Sequence, residues 1–152
     1  MELARPRIGW DEYFMQLASL VATRSTCPRR RVGSVLVRDH RVIATGYNGS
    51  VAGDVHCDDV GCLLVDDHCV RTLHSELNAL LQCAVTGERS AGSELYCTDF
   101  PCLHCAKSLA QGQVRTVHYV RPYRVDPRAQ EVLHRAGVVL VPMDPAAAPT
   151  NI

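Results

Sequence analysis

The 152-residue sequence lacks an excess of charge of either sign. Sixteen Lys and Arg residues balance sixteen Asp and Glu residues, so the formal net charge is zero. Proteins that bind long nucleic acids usually present a basic face, and this balance therefore disfavours stable binding of DNA or RNA. It does not exclude small nucleotides, because a few local arginines are enough to bind one.

Long apolar runs are also absent. No stretch approaches the roughly 20 apolar residues of a membrane span. The first 14 residues contain Glu2 and Asp11 and no apolar run, which disfavours a signal peptide. We therefore expect a cytoplasmic protein without membrane association, folded as a single domain over residues 1–152 with no repeat or linker. In such a compartment thiols stay reduced, so the eight cysteines indicate metal binding more than disulfides.

The pattern of apolar residues predicts an α/β fold. A helix is expected over 10–24, followed by a hairpin of strands 34–38 and 41–46 and by an irregular segment, 47–71. Helices and strands then alternate. The helices are expected from residue 73 to a Gly87 cap, over 101–112 and over 126–135, and the strands over 94–98, 114–120 and 138–141. Because a helix separates the last two strands, they should be parallel. Residues 143–152 are expected to be frayed.

Two short segments at predicted helix starts carry metal-ligating residues, His74-Ser75-Glu76 and Pro101-Cys102-Leu103-His104-Cys105. Cys102 and Cys105 are three residues apart, on one helical face, and can bind one ion together. With His74 they make three protein ligands and leave an open fourth position on tetrahedral zinc. The partial positive charge of a helix N-terminus favours the thiolates that zinc requires.

Glu76 is predicted to act as an acid–base group beside that ion. Zinc can lower the pKa of a bound water from 15.7 toward about 7, and an uncoordinated carboxylate can take and return its proton. The order H-x-E…P-C-x-x-C is the signature of zinc-dependent nucleobase deaminases. Taken singly, a CxxC pair is often structural zinc or a redox pair, and a lone His is often a buried cap.

The sequence resembles the cytidine and deoxycytidylate deaminase family, most closely its bacterial dCMP deaminase branch. The shared stretches are RSTCPRRRVGSVLVRD (24–39), GYNGS (46–50), HCDDVGC (56–62), DHCVRTLHSELNALLQCA (67–84), PCLHCAKSL (101–109) and RPYRVDP (121–127). The resemblance implies a three-layer α/β/α fold with a mixed five-stranded sheet. It also implies hydrolytic deamination of dCMP to dUMP, with His74, Cys102 and Cys105 as catalytic zinc ligands and Glu76 as proton shuttle. Ser75 departs from the family's alanine or valine; it is expected to be a substrate contact and could shift a hydrogen bond beside the pyrimidine.

Four further cysteines flank the irregular segment, which has little apolar material to hold it: Cys27, Cys57, Cys62 and Cys69. A closed Cys₄ zinc site would fix this segment, and in zinc peptides such a site is worth about 10–16 kcal/mol. His56 and His68 are competing ligands, and free thiols are the alternative. Cys83 and Cys97 are expected to be small core residues.

Substrate contacts are predicted from the residues around the site. The Asn48 amide can bind a sugar hydroxyl, Arg31 within the run of arginines can bind a monophosphate, and Tyr123 can contact the phosphate or the ring. The resemblance implies a homo-oligomer, hexamer or dimer, and dCTP and dTTP as effectors in regulated members. The alternatives are a tRNA adenosine deaminase, a free-cytidine deaminase, and a non-catalytic zinc module linked to DNA uptake in competence.

Overall fold

The computed structural model describes residues 5–148. Its helices are α1 (Trp10–Ala22), α2 (Cys57–Val60), α3 (Ser75–Thr86), α4 (Leu103–Gln111) and α5 (Pro127–Arg135). Its strands are β1 (Gly33–Arg38), β2 (Arg41–Tyr47), β3 (Gly49–Ser50), β4 (Leu64–Val65), β5 (His68–Cys69), β6 (Thr72–Leu73), β7 (Glu94–Asp99), β8 (Thr116–Arg121) and β9 (Val139–Pro142).

Five strands form one mixed sheet in the order β2-β1-β7-β8-β9. β1 is antiparallel to both β2 and β7, whereas β7, β8 and β9 are parallel. α4 joins β7 to β8 and α5 joins β8 to β9, and a helical crossover returns the chain in the same direction. The predicted parallel arrangement of the last two strands is confirmed.

Helices cover both faces of this sheet. On one face, Phe14 and Met15 of α1 pack against Val35 and Tyr96. The opposite face packs against α3, α4 and α5 through side chains such as Leu36. Successive residues of a strand point to opposite faces, so each inner strand feeds both cores. The predicted α/β/α layering is confirmed.

Gly46 sets how closely α3 approaches the sheet. A Cβ atom at this position would lie 2.6 Å from the backbone nitrogen of Ala79, and closer still to the carbonyl oxygen of Ser75. Both neighbours are backbone atoms of α3, so a side chain could not be accommodated by rotamer changes alone. The absence of a side chain at residue 46 therefore fixes the height of α3 above β2.

Two regions differ from the predictions in detail. The irregular segment contains α2 and the two-residue strands β3 to β6, which pair as β3 with β6 and β4 with β5. Residues 143–148 are packed rather than frayed, with a single 3₁₀ turn at Pro145–Ala147 and with Ala147 buried near α1. The alanines and Met143 supply apolar surface that the proline content obscured in the sequence. Residues 149–152 of the predicted frayed tail lie outside the described residues.

Candidate active site and metal centres

The N-termini of α3 and α4 meet at the first candidate metal centre. His74 and Cys102 are the N-cap residues of these helices, and Cys105 lies in the first turn of α4. The Nδ1 atom of His74 lies 3.4 Å from Sγ of Cys102 and 3.5 Å from Sγ of Cys105. The three atoms lie within 4.8 Å of one another. The structure thus brings together all three predicted ligands.

The protonation of these three groups suits a cation. The hydrogen bond from the Cys105 thiol lowers the pKa of Cys102, and His74 lowers it further. The same bond between the sulfurs raises the pKa of Cys105. The bond to Cys102 raises the pKa of His74, although burial opposes the shift. A thiolate, a thiol and an imidazole that share protons in this way match the N and S donors that zinc takes in place of protons.

Glu76 lies in the first turn of α3, and its side chain is buried. Its residue is 4% exposed, and burial raises the pKa of its carboxyl group, while a bond from its own backbone N–H and the charge of His74 oppose this. After the larger effect of the bonds with Cys102, the charge of Glu76 also raises the pKa values of His74 and Cys105. It is not one of the three clustered ligand atoms. A buried carboxyl group of raised pKa beside a metal centre is suited to proton transfer.

Ser75 occupies a different place from the one expected of a substrate contact. Its side chain is fully buried, and its hydroxyl donates to Oε2 of Glu76 over 3.1 Å. The Ser34 hydroxyl of β1 lies 2.7 Å from the Ser75 hydroxyl and 3.3 Å from Sγ of Cys97. Ser34 and Cys97 are fully buried as well. Three polar side chains thus stand behind the carboxylate, away from solvent.

Three of the four cysteines proposed for a second metal site also converge. The ligand atoms of Cys57, Cys62 and Cys69 lie within 4.8 Å of one another, with Cys57 Sγ 3.6 Å from Cys69 Sγ. Burial opposes ionisation of Cys69, but bonds from backbone N–H groups, Arg71 first, lower its pKa to about 6. Burial raises the pKa of Cys57 to about 12. Cys69 is therefore the cysteine of this cluster that ionises most easily and can bind a metal as a thiolate.

Cys27 lies at the margin of this cluster. It is buried and is not among the three atoms within 4.8 Å. It is close enough for its charge to raise the pKa of Cys62, after the larger effects of burial and of Cys69. Asp58 N–H donates to the carbonyl of Thr26 over 3.1 Å, which ties α2 to the residue before Cys27.

Asn48 is buried against the segment that precedes β1. Its Oδ1 accepts from the backbone N–H of Val32 over 2.8 Å, and its Nδ2 donates to the carbonyl of Arg30 over 2.7 Å. An amide has two N–H hydrogens and two acceptor lone pairs, so half of its bonding capacity is used in this way. Asn48 therefore holds the arginine-bearing segment in place.

A cluster of arginines meets one carboxylate where β7 and β8 end. Asp99 accepts from Nε of Arg30 over 2.5 Å and from Nε of Arg121 over 2.6 Å. The guanidinium of Arg30 lies 3.5 Å from the centre of the Tyr123 ring. Arg31 is exposed and, with Arg30 and Arg121, lines a cavity of about 410 Å³. Arg31 and Tyr123 are residues predicted from the sequence as phosphate contacts, whereas Arg30 and Asp99 were not predicted.

The pairing of Asp99 with Arg30 and Arg121 could not be predicted from the local sequence pattern. Arg30 and Asp99 are 69 residues apart in the chain, and each of three consecutive arginines was an equal candidate. The usable signal was Asp99 itself, a carboxylate two residues before the first residue of the PCxxC motif.

The sequence profile described as "Cytidine and deoxycytidylate deaminase zinc-binding region" matches residues 8–121. The chain belongs to the cytidine and deoxycytidylate deaminase family. The match spans both the zinc signature and the cysteine-rich segment, so the geometry described above is that of a family member along most of its length.

Relatives within the deaminase family agree with this assignment. The chain is 53% identical over 134 residues to ComE operon protein 2 of Bacillus subtilis. This alignment covers 88% of this chain and 71% of that protein. It is 43% identical over 147 residues to the deoxycytidylate deaminase of Schizosaccharomyces pombe, covering 90% of this chain but 44% of that enzyme. The chain therefore spans less than half of the yeast enzyme's length.

A solved deaminase structure has the same fold. The dCMP deaminase of cyanophage S-TIM5, crystallised in complex with dCMP and dUMP, superposes with a TM-score of 0.80 at 35% identity, covering 91% of this chain and all of the phage chain.

None of the helices within residues 5–148 combines the length and apolar character that spanning a membrane requires.

Proposed function

We propose that this deaminase hydrolyses dCMP to dUMP and ammonia. The observation that carries the proposal is the convergence of His74, Cys102 and Cys105 at two helix N-termini, with the Glu76 carboxyl group beside them and outside the ligand set. A purely structural metal site has no use for such a carboxyl group. The similarity to deoxycytidylate deaminases, and the dCMP and dUMP bound by the phage enzyme, support deoxycytidine monophosphate as the substrate.

The residues of the site have two roles in this reaction: three of them hold the metal ion, and one transfers protons. His74, Cys102 and Cys105 would hold a zinc ion. Zinc with three protein ligands supplies a nucleophilic water at neutral pH through its fourth position. Glu76 accepts the proton of the attacking water as the bond from oxygen to C4 forms. It passes that proton to ring N3, then takes the proton of the new hydroxyl group and delivers it to the amino nitrogen as the C4–N bond breaks, so that C4 becomes a carbonyl and ammonia leaves.

We place the substrate phosphate at the arginine cluster. Arg30, Arg31 and Arg121 bring three positive charges against the single charge of Asp99, which leaves an excess that an anion can neutralise. β7 ends at Asp99, and Cys102 follows three residues later, so the cluster adjoins the candidate metal centre in the chain. Arg31 and Tyr123 are proposed as phosphate contacts. The free N–H of Asn48 is proposed as a sugar contact, while Ser75 acts behind Glu76.

An assay of ammonia release from dCMP, deoxycytidine, dCTP, cytosine and an anticodon stem-loop tests this function. We expect dCMP to be turned over with the highest kcat/KM. A preference for deoxycytidine or for the RNA would contradict the proposal. An Arg31→Ala variant should raise KM for dCMP more than for deoxycytidine, and an unchanged KM for dCMP would remove Arg31 from the phosphate site.

We propose a second, structural zinc at Cys57, Cys62 and Cys69. Three sulfurs within 4.8 Å, one of them already a thiolate at neutral pH, support it. Cys27 is proposed as the fourth ligand, since it is buried and close to Cys62, whereas His56 and His68 are exposed. Native mass spectrometry should find two zinc ions per chain and one in a Cys69→Ser variant. One ion in the wild-type protein would refute the second site.

We further propose a homo-oligomer in the cytoplasm. Several apolar side chains of the cysteine-rich segment are half-exposed, among them Val60, Leu63, Leu64, Val65 and Val70. Such a surface favours contact with another copy. None of the eight cysteines, all of which lie within the described residues, forms a disulfide, which supports a reducing compartment. Sedimentation analysis tests assembly, and the ammonia assay with added dCTP or dTTP tests regulation by these nucleotides.

A further inference from the structure

Behind Glu76 runs a chain of hydrogen-bonding groups that the reaction described above does not use. The Ser75 hydroxyl bonds Oε2 of Glu76 over 3.1 Å, Ser34 lies 2.7 Å from Ser75, and Cys97 Sγ lies 3.3 Å from Ser34. Ser34, Ser75 and Cys97 are each 0% exposed. Buried hydroxyls carry a desolvation cost unless they are bonded, so two of them side by side in a core call for an explanation.

Counting hydrogens restricts how this chain can be bonded. Each serine hydroxyl has one hydrogen to donate and can also accept. When Glu76 is ionised, the hydroxyl hydrogen of Ser75 is donated to the carboxylate. The short contact between the two serine oxygens then needs the hydrogen of Ser34, so the direction of donation is Ser34 to Ser75 to Glu76.

The same direction serves the acid that carries the transferred proton. A proton on Oε1 remains available to the substrate, while Oε2 still accepts from Ser75. A proton on Oε2 would be donated to Ser75 instead and could reach the substrate only after the carboxyl group had rotated. The chain of donors therefore leaves Oε1 as the oxygen that exchanges protons.

We propose that Ser75 and Ser34 are positioning residues that hold the Glu76 carboxyl group in one orientation through both proton transfers. This rests on the proposed role of Glu76 in deamination. A group that accepts a proton and then returns it must stay in place while its charge changes. A donor that stays on Oε2 leaves Oε1 free to exchange protons without movement of heavy atoms, and an apolar residue at position 75 could not donate this bond.

Removing one hydroxyl gives a measurable prediction. In Ser75→Ala, Oε2 loses a buried donor to a charged acceptor, and kcat should fall by about 10- to 100-fold. In Ser34→Ala, Ser75 still donates to Glu76 but loses its short partner and keeps only the longer contact with Cys97 Sγ, at 3.9 Å. Here kcat should fall by about 2- to 10-fold. The double variant should be no worse than Ser75→Ala, since the two act through one chain.

The experiment compares zinc-loaded wild-type protein with these variants and with Ser93→Ala. Ser93 is also fully buried, but its hydroxyl donates to the carbonyl of Ser90, outside the site. Zinc content, melting temperature, kcat and KM for dCMP are measured for each protein. We expect the losses of Ser75→Ala and Ser34→Ala in kcat, with KM within twofold and zinc unchanged, and we expect Ser93→Ala to keep its kcat.

Three results would overturn the inference: an unchanged kcat in Ser75→Ala, a loss confined to KM, or an equal loss of kcat in Ser93→Ala. If Ser75→Ala binds less zinc, Ser34→Ala decides, because Ser34 is on β1 and adjoins no ligand in the chain. A wild-type protein inactive on dCMP would instead overturn the proposed function. The same kcat ratios, measured on the pyrimidine of the panel that is turned over, would still test the two serines.

Discussion

Substituting Gly46 by alanine should displace the catalytic helix. The new Cβ atom would lie 2.6 Å from the backbone nitrogen of Ala79 and closer to the Ser75 carbonyl. An ordinary contact needs about 3.5 Å, so α3 must move by about 1 Å. Because His74 and Glu76 belong to the start of α3, they move with it. A misplacement of this size costs about 100-fold in rate, and overpacking a core costs about 1–3 kcal/mol of stability.

The assay measures kcat for dCMP, zinc content and the melting temperature of Gly46→Ala. We expect kcat to fall by about 100-fold and the melting temperature by about 2–4 °C per kcal/mol lost. Gly9→Ala is the matched control, since Gly9 has a φ of −66° and no heavy atom within 4 Å of an added Cβ. A Gly46→Ala variant with wild-type kcat and melting temperature would refute the reasoning, because α3 would then not be held by contact with β2.

Three further predictions concern the proton shuttle, an ion-paired carboxylate and the metal. Glu76→Gln should lower kcat by about 100- to 10,000-fold with zinc content unchanged, and near-normal ammonia release would contradict the assigned role. Burial raises the pKa of Glu94, but bonds with Arg115 and His118 together lower it below 4.5. The stabilisation is therefore present above that pH, so Glu94→Gln should be less stable than wild type at pH 7, and the gap should close as the pH falls below 4.5; a gap that persists in acid denaturation would count against the ion pair. Chelation should expose residues 51–70 to protease before the rest of the chain, since few apolar contacts hold this segment, and uniform cleavage would oppose a structural metal there.

Periodic segments of the sequence predicted the fold well. The apolar stripe of α3 and the valine-rich strands of the hairpin each repeat over several residues, so their elements agree with the structure to within a few residues. The parallel order of the last strands followed from a helix between them. The short strands β3 to β6 could not be predicted in this way, because two residues are too few for any period to show.

The clustering of the candidate metal ligands was partly predictable because the spacing of the two cysteines is local. Cys102 and Cys105 are adjacent on one helical turn, and the helix starts explain why His74 joins them. The contacts around Asp99 and the pair of Ser34 and Ser75 join residues far apart in the chain. Ser34 can be noticed in the sequence as the one polar residue in the segment from Val32 to Val37.

The parallel strands β7 and β8 have a consequence for what this protein can recognise. Both end at the same edge of the sheet, where β7 is followed by the candidate ligands Cys102 and Cys105 and β8 ends at Arg121. Neighbouring strands are held about 4.8 Å apart by their backbone bonds, so the spacing of the last residues of β7 and β8 is fixed by the sheet. On the proposed placement of the phosphate at Arg121, selection of a longer or shorter substrate would therefore require changes in the loops that follow the strands, because the strand spacing itself does not adjust.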